Sequence, residues 1–175
     1  MKSFQYIIVS SAFLFLPITV TMASSEKSAE KSHSIHWSYE GEYGPEHWGD
    51  VKPDYSKCKG GQRQSPVGIA LTEKSKLESI NVNYYAAPLK IINNGHTIQV
   101  NCKNGSYTAI GNKRYELLQF HFHSPSEHKI NGTSYAIEAH FVHKGEDGKL
   151  AVIGVLMAEG KGNDFIKTLW SNLPK

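Results

Sequence analysis

Ten residues, Gln119-Phe120-His121-Phe122-His123-Ser124-Pro125-Ser126-Glu127-His128, constrain this chain more than any other stretch. Side chains on a β-strand alternate between faces. Gln119, His121 and His123 therefore project one way, and Phe120 and Phe122 project the other way, into an apolar layer. Residues 134–143 read as a second strand, on which Glu138 and His140 share a face. Two histidines two residues apart, with a third from another strand, form a three-nitrogen metal site with one position left open. That is the layout of catalytic rather than structural zinc. Gln119 and Glu138 each precede a ligand candidate by two residues on its own face, where an acceptor for the second ring nitrogen is needed. The same spacing also suits hydrogen-bonded core histidines, so the motif needs its structural context.

These residues resemble a known family. The segments 119–128 and 138–143 are similar to the zinc-binding core of the α-class carbonic anhydrases. The likeness extends to His36-Trp37-Ser38-Tyr39, Gly44-Pro45-Glu46-His47-Trp48, Gln62-Arg63-Gln64-Ser65-Pro66-Val67 and Asn93-Asn94-Gly95-His96, in the family's order. The resemblance implies a mostly β, α+β fold: a twisted, mainly antiparallel sheet with short peripheral helices. It implies Zn²⁺ on His121, His123 and His140, with Gln119 and Glu138 orienting the His121 and His140 rings. It also implies reversible hydration of CO₂ to bicarbonate and a proton, by attack of zinc-held hydroxide.

Other roles follow from the same likeness. His96 matches the proton-shuttle histidine, and an unperturbed imidazole titrates near neutrality. Glu127 matches the glutamate that accepts a hydrogen bond from the hydroxide-orienting threonine. Tyr39 and Gln99 match positions lining the cleft, and His128 matches a structural histidine. Strict alternation cannot put His96 and Gln99 on one face, so if both line the cleft a β-bulge is expected between them. His33, His36, His47 and His143 are expected at the surface or in packing. In the family the polypeptide continues well past the equivalent of Lys175, so residues 35–175 are expected to form an incomplete domain that lacks C-terminal strands. The alternatives left open are a zinc-holding module without turnover and a fragment without function.

Short strands are expected at 79–85, 89–92, 97–102, 106–110, 115–123, 134–143 and 150–157, with Gly and Asn between them. The last is nearly all apolar, as expected of a strand buried on both faces. Asn163 or Asp164 caps a C-terminal helix whose apolar face carries Phe165, Ile166, Leu169, Trp170 and Leu173.

Lys2, the apolar run 7–20 and the small residues that follow read as a signal peptide over 1–23, with an uncleaved anchor as the alternative. Residues 24–34 form a polar lead-in. Periplasmic or secreted location is expected. The formal net charge of +3 drops by one with Lys2, too little to suggest a nucleic-acid partner or an acidic membrane. The expected partners are CO₂ and bicarbonate, with no stable membrane span after cleavage. Cys58 lies where secreted relatives place half of a disulfide, whose other half sits in a C-terminal segment not found here. Two free thiols are therefore expected, and a homodimer linked through them is possible.

Overall fold

The alternation around Phe120 builds the centre of a sheet. In the computed structural model, which describes residues 36–70, 72–102 and 105–174, nine strands run in chain order. They are β1 (Gly68–Ile69), β2 (Ile80–Asn83), β3 (Ile91–Asn93), β4 (Ile98–Asn101), β5 (Tyr107–Ile110), β6 (Lys113–His123), β7 (Lys129–Ile130), β8 (Ile137–Gly145) and β9 (Leu150–Met157). Three short α-helices accompany them: α1 (Trp48–Val51), α2 (Lys57–Gly60) and α3 (Asp164–Ser171). The expected signal peptide, the polar lead-in and His33 lie outside the described residues. No helix among the described residues is long and apolar enough to cross a membrane.

Seven strands form one sheet through antiparallel pairings, while β1 and β7 make a small parallel pair. Strand β6 organises the large sheet. Along one edge its first half pairs with β5 and its second half with β4; along the other edge it pairs with β8. Strand β8 in turn pairs with β9. The mostly β expectation therefore holds, and all seven predicted strands are present, each within a few residues of its expected ends.

The sheet has two unlike faces. Val100, Leu117, Phe120, Phe122 and Ala139 are buried on one of them, with Phe141 packed alongside. Helix α3 covers this face: Leu169 is 1% exposed, the Phe165 ring lies 5.7 Å from Phe120 and the Trp170 ring 5.4 Å from Phe122. Its cap is Asn163, whose side-chain oxygen accepts from the Ile166 N–H at 3.1 Å, satisfying one of the N–H groups a helix start leaves open. The opposite face carries Gln119, His121, His123, Glu138 and His140.

Two expectations are corrected. The bulge lies not between His96 and Gln99 but at Leu118 on β6, where the pairing with β8 shifts register between Leu117 and Gln119. An extra residue inverts the alternation on one side of it. Leu117 thereby joins Phe120 and Phe122 in the core instead of sharing a face with the histidines. No bulge is needed at His96, because it stands in the turn before β4, and β3 and β4 pair in unbroken register from Asn93–Ile98 to Ile91–Val100. Strand β9 is not buried on both faces: Leu150 is 62%, Val152 54% and Val155 42% exposed. Among the described residues it pairs with β8 alone.

Cys58 is exposed and Cys102 buried, and both are free thiols as expected. His143 is fully buried: Tyr84 Oη lies 2.8 Å from its Nε2, and its Nδ1 donates to the Ala151 carbonyl. It is a packing residue, while His47 is exposed.

Candidate metal centre

Pairing in β6–β8 sets His121 directly opposite His140, and His123 opposite Glu138. The ligand atoms of the three histidines lie within 4.8 Å of one another. Each ring turns one nitrogen toward a neighbour away from the cluster. His121 Nδ1 donates to Gln119 Oε1 at 2.9 Å, which leaves Nε2 free to face inward. His140 Nε2 faces Glu138 Oε1 at 2.8 Å, which leaves Nδ1. His123 Nδ1 lies 3.5 Å from Tyr39 Oη, and its Nε2 is buried without a hydrogen-bond partner among the described residues. A buried polar atom without a partner is costly, and a cation among three inward-facing nitrogens would satisfy it. The donors thus fit a metal ion that prefers imidazole.

The electrostatics agree with the geometry. Burial, and after it the neighbouring His140, holds His121 below the usual imidazole range. Burial, then His140 and His121, pushes His123 down to about 4. Both rings are therefore neutral at physiological pH, the state a metal ligand requires.

Glu138 does more than steady one ring. It is completely buried. Its Oε2 accepts the backbone N–H groups of Glu127 at 3.0 Å and His128 at 2.9 Å, and its Oε1 accepts from His128 Nδ1 at 2.6 Å. Burial alone would raise its pKa. The hydrogen bonds from the His128 backbone and ring, with those from His140, outweigh it and hold the carboxyl at about 2. This one anion fixes the His140 ring and ties the 124–128 loop to β8.

Gly154 on β9 makes room for it. A Cβ there would stand 2.7 Å from Glu138 Oε1 and 3.8 Å from His128 Nδ1. Isolated glycine inside a strand often marks such a close approach, and that signal was available in the sequence although neither Gly154 nor the His128 contact was read from it. Gly154→Ala is expected to destabilise the fold by about 1–3 kcal/mol through overpacking, measured as a lowered unfolding midpoint. An unchanged midpoint would mean that the carboxylate can step aside freely.

Around the cluster is a cavity of about 730 Å³ that the three histidines, Glu127 and Glu138 share with Trp37, Tyr39, Trp48, Val152 and Leu156. An adjoining cavity of about 840 Å³ reaches His96 and shares Tyr39, Trp48, His123 and Glu127. His96 is placed by Asn94, whose Oδ1 accepts from the N–H groups of His96 and Thr97. Gly95 completes the turn with φ +90°, where a side chain would be strained. The His96 ring stacks on Trp37 at 3.8 Å and on His36 at 4.8 Å, with Tyr39 edge-on at 6.4 Å. Tyr39 in turn meets His123 at 5.9 Å between ring centres. Burial, then the charge of Glu127, pushes the Tyr39 hydroxyl up to about 12. Gln99 lies opposite His121 in the β4–β6 pairing, its amide bonded to Asn94 and Asn101.

Glu127 has two neighbours: its Oε2 lies 3.4 Å from His123 Nε2 and 3.7 Å from His140 Nδ1. Burial raises its pKa, opposed by the neighbouring His140 and His128 and reinforced by Glu138.

Comparison with known proteins bears on this arrangement directly. Residues 43–175 match the family model described as eukaryotic-type carbonic anhydrase. The carbonic anhydrase of Pectobacterium atrosepticum is 42% identical over 153 residues, which cover 87% of this chain and 63% of that protein. The α-carbonic anhydrase of Thermovibrio ammonificans, solved with the inhibitor sulfanilamide, superposes with a TM-score of 0.76 at 44% identity, over 80% of this chain and 63% of that one. A hyperthermostable carbonic anhydrase from a hydrothermal vent chimney gives 0.75 at 54% identity, over the same shares of the two chains. The chain thus spans somewhat under two thirds of the length of these relatives. With the paired β6–β8 histidines, the family-model match and the shared fold all in agreement, the chain belongs to the eukaryotic-type, or α-class, carbonic anhydrase family.

Proposed function

We propose that the chain holds Zn²⁺ on His121 Nε2, His123 Nε2 and His140 Nδ1 and hydrates CO₂ reversibly to bicarbonate and a proton. The carrying observation is the convergence of three imidazole nitrogens whose other nitrogens face Gln119, Tyr39 and Glu138. A zinc ion there would supply a bound water acidic near pH 7 instead of about 15.7. The chain's own residues do the rest. Gln119 and Glu138 fix the tautomers that aim lone pairs inward, and Val152 and Leu156 provide an apolar wall on which CO₂ can rest. Glu127 faces the position where substrate would approach.

Each turnover must also export a proton. His96 on the rim is the proposed shuttle, with Tyr39 between it and His123. The high pKa of Tyr39 makes it a group that orders hydrogen bonds rather than one that ionises at neutrality. His96→Ala is expected to leave zinc binding intact and slow turnover by about 10²-fold or less in weak buffer, within the usual reach of acid–base catalysis. Added imidazole should restore the rate. An unchanged rate at low buffer would place His96 outside the proton path.

Export to the periplasm or beyond is part of the same reading, supported by the apolar run near the N-terminus, and the exposed Cys58 offers a route to a disulfide-linked homodimer. A second reading, a zinc-holding module with little turnover, is favoured by the Glu127 carboxylate standing so near two ligand nitrogens. Stopped-flow CO₂ hydration by the zinc-loaded chain, with and without sulfanilamide, decides between them. Sulfanilamide-sensitive hydration supports the enzyme; stoichiometric zinc without hydration overturns it.

A further inference from the structure

We propose that the Thr97 hydroxyl positions the His96 shuttle, by clamping the turn that carries it to β6 between His121 and His123. The inference rests on the shuttle reading above and deepens it.

Two sets of bonds hold this turn, and they do different things. One set is internal. Asn94 Oδ1 accepts from the His96 and Thr97 N–H groups, Asn93 Oδ1 accepts from the Gly95 N–H, and the Asn94 N–H donates to the Thr97 carbonyl. These bonds shape the turn without tying it to the strand of histidines. The Thr97 hydroxyl does the tying. It donates to the Phe122 carbonyl at 2.5 Å and accepts from the Phe122 N–H at 3.3 Å. Its 3.4 Å approach to the Ile98 carbonyl is longer than O–H···O bonds run, so its proton is directed to Phe122.

Thr97 stands where the backbone pairing stops. Strands β4 and β6 pair in register as far as Gln99–His121. Beyond that point the hydroxyl serves both backbone groups of Phe122, as a paired strand would. Phe122 is buried in the core, where its N–H and C=O need partners. In the chain it is flanked by His121 and His123, so the clamp fixes the turn against the backbone that carries two of the three metal-ligand candidates. His96 precedes Thr97 directly and lines the cavity that also holds Tyr39, His123 and Glu127. Trp37 covers one face of the His96 ring but does not hold the backbone from which the ring hangs. A misplacement of about 1 Å can cost about 10²-fold in rate, which is why the anchor of the turn matters to proton export.

The test compares the full chain with Thr97→Val, which keeps the shape and loses the hydroxyl, and Thr97→Ser, which keeps the hydroxyl. His96→Ala is the reference. Proton NMR reads the position of the ring. The Trp37 ring current should move the His96 ring-proton signals upfield in the unaltered chain and in Thr97→Ser, and Thr97→Val should lose most of that shift. The signals are identified by their disappearance in His96→Ala. CO₂ hydration by the zinc-loaded chain reads the consequence. In weak buffer Thr97→Val should be slower by about tenfold, Thr97→Ser should match the unaltered chain, and added imidazole should restore the valine variant. If Thr97→Val does not fold, Thr97→Ala replaces it. Identical His96 signals across the set would overturn the proposal, and so would a slow valine variant that imidazole does not repair. A displaced His96 signal in Thr97→Val together with an unchanged weak-buffer rate in His96→Ala would instead overturn the shuttle reading, and with it the part of the clamp in turnover.

Discussion

Replacing His121 by alanine is expected to abolish tight zinc binding and any CO₂ hydration together while leaving the fold in place. Zinc bound to a structural site gains on the order of 10–16 kcal/mol. Shared among three protein donors, that is roughly 3–5 kcal/mol each, or a loss on the order of 10²–10⁴-fold in affinity for one missing ligand. The cost to the apo fold is smaller, of order 1 kcal/mol. His121 is only half buried, sits on the cleft face and has Gln119 as its hydrogen-bond partner; the core on the other side of β6 does not touch it. Chelator competition measures the affinity, and thermal unfolding of the metal-free chain measures the fold. Zinc retained at one per chain with undiminished affinity would remove His121 from the centre.

Much of this was legible because β-structure has a period of two. Once residues 119–123 are read as a strand, the partition of Gln119, His121 and His123 from Phe120 and Phe122 follows from geometry alone, and the structure shows that partition. The helix cap at Asn163 was legible for a similar reason, since one residue's side chain answers a local need. Features that depend on which strand lies beside which were not. The apolar run 150–157 reads the same whether its faces are covered or open, and only the exposure of Leu150, Val152 and Val155 in the folded chain decides it. The Leu118 bulge is a register event between β6 and β8, and no residue in it marks the extra step.

The site shows the same division. The ligand set could be drawn from spacing and resemblance, because each histidine signals its own chemistry. The service that Glu138 gives to the loop carrying Glu127 and His128 could not, because it links residues eleven and ten apart through backbone N–H groups that every residue possesses. Gly154 lay hidden for the converse reason: its contribution is the absence of a side chain, and its purpose appears only when Glu138 is in place.

Glu138 therefore carries the second large expectation, and two variants separate its duties. Glu138→Ala strips partners from two backbone N–H groups and from His128 Nδ1, and leaves them in a buried site. Breaking a buried charged network in this way costs about 3–5 kcal/mol, or on the order of 10 °C in unfolding midpoint for a chain of this size. Glu138→Gln keeps the shape. Its oxygen can still accept the Glu127 and His128 N–H groups, but its NH₂ then faces His128 Nδ1 and His140 Nε2. Those nitrogens must become acceptors, which moves the His140 proton onto Nδ1, the nitrogen that would bind metal. Zinc affinity should fall by about 10–100-fold, the usual effect of losing such an orienting partner, with a smaller loss of stability. Acid supplies an independent readout. The folded pKa of Glu138 is held at about 2, below its ordinary value of 4.5. Its stabilisation is therefore fully present above about pH 4.5 and is lost as pH falls through about 2. The stability gap between the unaltered, metal-free chain and Glu138→Gln should be constant at neutral pH and shrink as pH drops below about 4.5. A gap that does not change between pH 6 and pH 2 would show that the anion of Glu138 does not hold this network together.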